Sequence, residues 1–356
     1  MSNSFKINKK KIGANHSTYF IADIAANHDG NFNKAIDLIN IAKESGADAA
    51  KFQHFSAETI VSDKTFREMR SKLSHQKNWS KSVYEVYKEA SLDLDWTPML
   101  KKECDKIGID FFTAPYSLEL IDYVDEYIHA YKIGSGDISW IESIEKMSKK
   151  KKPMILATGA SDLNDVKRAV KLILKHNKKL CVMQCNTNYT ASNNNFKFIN
   201  LNVLKKYKKI FPNIILGLSD HTHGHSTVLG AIALGARIIE KHFTISNKLK
   251  GPDHKFSMSP KTWKEMIERS RELELALGKE EKKIEKNEKE TSLVQRRSIH
   301  FVKKIKENTK IKKNDLTYLR PFLKNSLHPF EYKKIIGKKV LKQHEKGEII
   351  FWKNLK

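Results

Sequence analysis

Three cysteines in 356 residues, Cys104, Cys181 and Cys185, are too few for a disulfide framework and lack CxxC spacing. A cysteine-stapled secreted domain is excluded, and buried thiols in a reducing compartment are expected. No apolar run approaches the roughly 18 residues of a membrane span. The lysines of the opening segment, MSNSFKINKKKIGANHSTYFIADIAANHDG, are not followed by the apolar core of a secretory signal, so the expected location is the cytoplasm. The first strand-to-helix turn has no GxGxxG, which weighs against a dinucleotide fold. Acidic residues are also scarce, 41 against 66 basic ones, for a formal net charge of +25. Such an excess raises the question of nucleic acid or an anionic surface. An arginine-rich or aromatic-interleaved stripe is missing, however, and the surplus is lysine spread from residue 6 to residue 356. We read it as a surface coat that attracts anionic substrates, and expect no nucleic-acid or membrane partner.

From residue 18 to residue 278, short apolar runs alternate with amphipathic stretches about eight times. The runs are 18–25, 48–53, 109–115, 130–136, 153–159, 180–186, 214–220 and 237–243, with helix-like segments such as 33–45, 95–107, 117–127, 161–176 and 224–235 between them. This rhythm is a parallel βα repeat, and eight strands predict closure into a (β/α)8 TIM barrel. Polar residues gather at the C-terminal end of each run, which in a barrel is the catalytic rim. The second run is followed by a long excursion, 54–94, carrying His54, His75, Trp79 and Tyr84; it reads as a lid or as packing decoration. After Gly278 comes a mixed-charge stretch, expected to be a linker over 279–295. Residues 296–356 then read as a small, β-rich domain too small to be robust alone.

His221 and His242 close the seventh and eighth runs. Two imidazoles on adjacent strands, roughly 5 Å apart in the hydrogen-bonding direction, can share one divalent ion and leave its other positions open. The bland alternative is that each histidine caps its strand. Period-two spacing puts Lys51 with Gln53, Ser219 with His221, and Glu240 with His242 on common strand faces. Lys51 and Lys132 offer fixed positive charge, and the turns at Gly134-Ser135-Gly136 and Thr158-Gly159 offer backbone amides for phosphate or carboxylate oxygens. Ion pairs and plain tight turns are the competing explanations. Asp23, Glu240 and Asp253 are candidates for proton transfer or hydroxyl binding.

Together, ADIAANHDG (22–30), KFQ (51–53), YKIGSGD (131–137), ATG (157–159), GLSDHT (217–222), EKHFT (240–244) and GPDH (251–254) resemble the sialic acid synthase family, the phosphoenolpyruvate-dependent nonulosonate synthases. QRRSIHF (295–301), LRPF (319–322), IIGKKV (335–340) and KGEII (346–350) resemble the antifreeze-like (SAF) domain of the same family. The resemblance implies condensation of phosphoenolpyruvate with an N-acylated amino hexose, either N-acetylmannosamine or a diacetamido-dideoxy hexose. The product would be a nine-carbon 2-keto acid of sialic, legionaminic or pseudaminic type, made for cell-surface glycans, with release of phosphate.

The resemblance also implies a divalent ion, Mn²⁺ foremost with Mg²⁺ or Co²⁺ as alternatives, held by His221 and His242. It casts Asp23, Lys51 and Glu240 as catalytic, and Lys132, Ser135 and Thr158 as binding groups for phosphoenolpyruvate and its phosphate. Gln53, Thr187, Tyr189, Ser219 and Asp253 complete the substrate contacts. Arg320 would reach from one chain into the barrel of its partner in a domain-exchanged homodimer. Three positions depart from the family pattern: Asp23 stands where glutamate is common, Thr187 where asparagine is, and Ala157 where serine is. All three lie on the rim facing sugar and phosphate. The alternatives are a metal-dependent aldolase or sugar-phosphate synthase on another acceptor, and a non-catalytic carbohydrate-binding protein.

Overall fold

The computed structural model describes residues 4–69 and 73–356. The chain divides into two compact units, Met1–Gly278 and Lys279–Lys356. The first opens with a hairpin, β1 (Ser4–Ile7) and β2 (Lys10–Gly13). Eight parallel strands follow: β3 (Tyr19–Asp23), β4 (Ala49–His54), β5 (Asp110–Pro115), β6 (Tyr131–Ile133), β7 (Met154–Ala157), β8 (Leu180–Cys185), β9 (Ile215–Asp220) and β10 (Ala236–His242). Their order is β5-β4-β3-β10-β9-β8-β7-β6. Pairing of β10 with β3 joins the last strand to the first, which an open doubly wound sheet does not do. The barrel is therefore nearly closed, with β5 beside β6 but without a ladder between them.

Each barrel strand leads to a helix: Phe32–Glu44, Trp96–Ile107, Leu118–Asp125, Ile141–Lys149, Leu163–His176, Val203–Ile210, Ser226–Ala233 and Pro260–Leu277. The fifth shows why these segments are helical. Asp162 and Asp165 form a capping box at its start, and Val166, Ala169, Val170 and Ile173 make a buried stripe at helical spacing.

Alternation along the strands separates two cores. Phe20, Ala22, Phe52, Val182, Leu218 and Ile239 face the helices. Tyr19, Ile21, Phe112, Ile155, Met183 and Ile238 fill the barrel interior together with Phe5, Ile7 and Ile12 of the hairpin. The opening segment thus contributes apolar side chains to the barrel's interior core, an arrangement the sequence reading did not anticipate. Ile7 and Ile12 are buried there, each contributing about 1.5–3 kcal/mol of burial. At Gly217 the interior is so tight that a Cβ would sit 2.8 Å from the Ile238 carbonyl and 2.9 Å from Cys181 Sγ. All three cysteines are free and buried.

The second unit pairs β11 (Ser298–Phe301) with β12 (Leu316–Leu319) antiparallel, with isolated bridges elsewhere. Its small core includes Ile299, Phe301, Ile305, Leu327, Val340 and Ile350. The charged stretch at its start contains a short exposed helix, Lys289–Gln295.

Candidate active site

Strand register sets the site. Asp23 lies level with Lys51 on one side and His242 on the other, and Glu240 lies level with Ser219. Going up β3, the inward positions change from Tyr19 and Ile21 to Asp23; going up β10, they change from Ile238 to Glu240 and His242. The interior is therefore apolar below and polar at the C-terminal rim.

Two buried ion pairs occupy that rim. Lys51 Nζ pairs with Asp23 Oδ2, and Lys132 Nζ lies 3.2 Å from Glu240 Oε1. The Ser219 hydroxyl donates to Glu240 Oε1 at 3.3 Å, and Gln53 Nε2 donates to Asp23 Oδ2 at 3.4 Å. Burial works against the Lys51 charge, but Asp23 and Glu240 hold its ammonium above the ordinary range. Burial alone would raise Glu240, yet Lys132 and Lys51 outweigh it and hold the carboxyl down to about 2. The four charges balance, so side chains alone leave little net positive charge for an anionic substrate.

His221 and His242 stand with ring centroids 5.4 Å apart. His221 Nδ1 lies 2.9 Å from the Asn186 carbonyl. A carbonyl only accepts, so Nδ1 carries the hydrogen and Nε2 keeps its lone pair. Burial, reinforced by the neighbouring imidazole, lowers the His221 pKa to about 4. Burial and Lys51 lower that of His242 to about 3. Both rings are therefore neutral at physiological pH, the form that binds metal. His242 Nδ1 is buried without a hydrogen-bond partner and lies 3.8 Å from Asp253 Oδ2, while Nε2 lies 3.7 Å from Asp23 Oδ2. Burial pushes Asp253 up to about 7. Two bare imidazole nitrogens and an under-compensated carboxyl fit a divalent cation. Among the described residues no group of three or more His, Cys, Asp or Glu forms a complete cage, so these residues would leave most positions of such an ion open.

A second cluster surrounds Gly159. Its N–H donates to Ser135 Oγ at 2.9 Å. A Cβ at Gly159 would collide with Thr187 Oγ1 and come within 2.9 Å of Ser135 Oγ and 3.0 Å of Cys185 Sγ. Thr187 Oγ1 is buried and has no protein partner. The Thr158 hydroxyl, by contrast, donates to the Met183 carbonyl at 2.8 Å and meets Tyr207 Oη at 3.0 Å. Its side chain ties β7 to its neighbours and is taken up there; only the turn's backbone is left for a ligand.

The excursion after β4 forms short helices, among them Ala57–Ile60, Asp63–Glu68 and Val83–Ala90. It encloses a cavity of about 120 Å³ with Gln53, His242 and Asp253 on one side and Phe55, Val86 and Ala90 on another. Rings run in contact around it. His221 meets Tyr189 at 4.6 Å, Tyr189 meets His75 at 5.0 Å, His75 meets Trp79 at 5.2 Å, and Tyr87 meets Phe55 at 5.5 Å. Of the excursion residues singled out from the sequence, His75 and Trp79 line the cavity. Tyr84 instead donates to Glu58 at 2.6 Å. His54 ends β4 and is buried between Thr113 and Thr97, at 2.6 and 2.7 Å.

Phe55, Val86, Tyr87 and Phe256, whose ring lies 4.8 Å from that of His242, were missed by sequence reasoning. Apolar and aromatic side chains carry no chemical motif; for Phe55, Val86 and Tyr87 the excursion's length was the only available signal, and Phe256 gave none. Arg320 lies in the second unit, exposed, just after β12.

A nearly closed parallel barrel with balanced charges and a neutral imidazole pair on its C-terminal rim is the layout of a barrel enzyme. The chain belongs to the NeuB family, whose model matches residues 38–282, and carries a SAF domain over residues 296–356. It is 33% identical over 337 residues to the N,N'-diacetyllegionaminic acid synthase of Campylobacter jejuni, covering 94% of this chain and 98% of that one. It is 30% identical over 341 residues to the human N-acetylneuraminate-9-phosphate synthase, covering 95% and 93%. Among solved structures it is similar to the N-acetylneuraminic acid synthetase of Leptospira borgpetersenii in complex with citrate. There the TM-score is 0.71 at 27% identity, covering 82% of this chain and 95% of that one.

Proposed function

We propose that the protein is a nonulosonate synthase, a transferase that joins phosphoenolpyruvate to an N-acylated amino hexose and releases phosphate. The observation that carries this reading is the rim itself: Lys51, Lys132, Asp23 and Glu240, all buried, beside two neutral imidazoles, in a chain whose relatives are synthases of nine-carbon sugar acids.

In the reaction, C3 of phosphoenolpyruvate bonds to the sugar's aldehyde carbon, water adds at C2, and collapse of that centre expels phosphate. A divalent ion, Mn²⁺ by preference, would be held by His221 and His242; when bound, it supplies Lewis-acid polarisation and the missing positive charge. Lys51 and Lys132 hold the carboxylate and phosphate oxygens, each exchanging a carboxylate partner for substrate. The Ser135 hydroxyl, Thr187 Oγ1 and the amides around Gly159 receive the remaining oxygens. Asp23, Glu240 and Asp253 orient the acceptor's hydroxyls and take up or return protons, with Gln53, Tyr189 and Ser219 fixing the approach. We extend the reading to a cytoplasmic homodimer in which the exposed Arg320 of one chain meets the acceptor bound by its partner.

The deciding experiment is phosphate release from phosphoenolpyruvate with Mn²⁺ and a panel of N-acetylmannosamine and diacetamido-dideoxy hexoses, with EDTA and His221→Ala as controls. Release with at least one sugar, abolished by both controls, is expected. Carbon–carbon bond formation without loss of phosphoenolpyruvate would make the protein an aldolase instead, and silence from folded, Mn²⁺-supplemented protein would favour a binding protein.

A further inference from the structure

The positive charge of the chain is not evenly spread. From Val166 to Ile239 there are twelve lysines and arginines and one acidic residue, Asp220, which is buried and taken up by Lys241. The surface of this stretch therefore has no carboxylate. The helix Leu163–His176 presents Lys167, Lys171 and Lys175, and Val203–Ile210 presents Lys205, Lys206, Lys208 and Lys209, all exposed. These helices follow the paired strands β7 and β8, so their charges share one side of the barrel's exterior.

Beside this face a groove of about 390 Å³ runs between the helices Ile141–Lys149 and Leu163–His176. Ile138, Ile144 and Ala169, all buried, make its floor, with Leu172 and the 52%-exposed Ile141 above them. Arg168, Lys171 and Lys175 also line it. Arg168 lies 3.1 Å from Asp165, whereas Lys171 and Lys175 form no salt bridge among the described residues. From Arg168 to Lys175 the lining covers about two helical turns, roughly 10 Å. We propose that this groove docks an amphipathic helix of a partner protein, apolar at i, i+3 or i+4, and i+7, and acidic along one flank. An apolar ridge fits a recessed carbon floor, and its carboxylates would pair Lys171 and Lys175. A second copy is the wrong occupant by charge, since the chain is +25 as a whole and its second unit alone has 23 basic residues against 10 acidic ones. A bilayer calls for apolar side chains that reach past the cations into the acyl boundary, whereas most of the carbon here is floor. The inference does not depend on the synthase reading.

The test uses the full chain and fluorescent peptides about 14 residues long, four helical turns. One set has leucine at helical spacing flanked by glutamate, a second has the same residues scrambled, and a third keeps the pattern with lysine for glutamate. By anisotropy the patterned acidic set should bind at least roughly 10-fold tighter than the scrambled set, and the lysine set not at all. Ile141→Asn and the double variant Lys171→Glu/Lys175→Glu should each weaken binding by roughly 10-fold. Lys205→Glu/Lys206→Glu makes the same charge change off the groove and should weaken it by no more than about 3-fold. Equal affinity for patterned and scrambled peptides, or equal loss from the two double variants, would overturn the inference in favour of diffuse charge attraction. Binding of phosphatidylglycerol vesicles or duplex DNA in place of the patterned peptides would overturn it in favour of a membrane or nucleic-acid surface, and so would failure of every patterned peptide to bind.

Discussion

Gly159→Ala probes the Ser135–Gly159–Thr187 cluster most directly. The added Cβ would strike Thr187 Oγ1 and press on Ser135 Oγ at 2.9 Å and Cys185 Sγ at 3.0 Å. All three belong to short side chains in a buried setting, and threonine is stiff about χ1, so at least two neighbours must move. Overpacking of this kind costs about 1–3 kcal/mol. For a unit of this size, each kcal/mol lowers Tm by roughly 2–4 °C. A loss of about 2–12 °C in the barrel transition follows. Thr187→Ala deletes the nearest obstacle, an oxygen that has no protein partner to lose, and alone should change stability little. In the double variant at least half of the Gly159→Ala loss should return, a coupling of about 0.5–1.5 kcal/mol in a double-mutant cycle. Urea and thermal unfolding of the four proteins measure it. If the two changes add within about 0.5 kcal/mol, Thr187 does not crowd Gly159 and the cluster is not built as described. Because the Gly159 N–H also bonds Ser135 Oγ, the single variant should raise the KM for phosphoenolpyruvate more than that for the sugar.

Outside the barrel, Lys241 Nζ pairs with Asp220 and donates to the Thr222 carbonyl at 2.6 Å, all buried. Lys241→Met strands Asp220 and should cost about 3–5 kcal/mol in urea unfolding, much of it regained in Asp220→Asn/Lys241→Met. Burial lowers the His54 pKa from 6.5 to about 3. Between those values the unfolded chain binds a proton that the native imidazole refuses. Its contribution to stability is thus complete above pH 6.5 and lost as pH falls toward 3, at up to about 1.4 kcal/mol per pH unit. His54→Asn should flatten the stability profile between pH 4 and 6 by one proton, and an unchanged slope would show that His54 titrates normally. Mn²⁺ at about 100 times its Kd should stabilise the protein by about 2.7 kcal/mol. That gain should vanish in His221→Ala with the apo Tm little changed; a Tm unmoved by Mn²⁺ in the unaltered protein would argue against the imidazole pair as a metal site.

The barrel was legible because its signals are local and repeated. Each strand is a short apolar run ending in polar residues, and period-two alternation alone places Lys51 with Gln53 and Glu240 with His242 on common strand faces. Pairings between distant segments were not legible. Nothing in KFQ says that Lys51 meets Asp23 rather than Glu240, and EKHF reads equally well with Lys241 facing in. Lys241 instead sits on the outward phase of β10, where Asp220 on the outward phase of β9 and the Thr222 carbonyl make it tolerable. The hairpin went unseen for a related reason. Phe5, Ile7 and Ile12 are too few for a strand pattern to stand out among lysines, and their burial depends on the barrel core they join. Thr158 read as a binding group because it stands at a rim turn and in the ATG motif, but strand-to-strand geometry gives its hydroxyl to Met183 and Tyr207.

Charge shows most plainly that position outweighs count. The chain carries a formal +25, nearly all on exposed lysines whose fields fade within a Debye length of roughly 8–10 Å in salt. The two lysines that matter are 2% and 3% exposed, and each already faces a carboxylate. Surface lysine can hasten the arrival of an anion without holding it, so association should weaken with salt while turnover of bound substrate should not. On the proposed reaction, holding would depend on the interior, where exchanging Asp23 and Glu240 for substrate oxygens would keep Lys51 and Lys132 paired throughout. Substrate entry then requires no lysine to stand bare in a low-dielectric site, which would cost several kcal/mol per ion. On the same proposal the displaced carboxylates would be left to meet the acceptor's hydroxyls, so the residues that hold the empty rim together would also help to read the sugar.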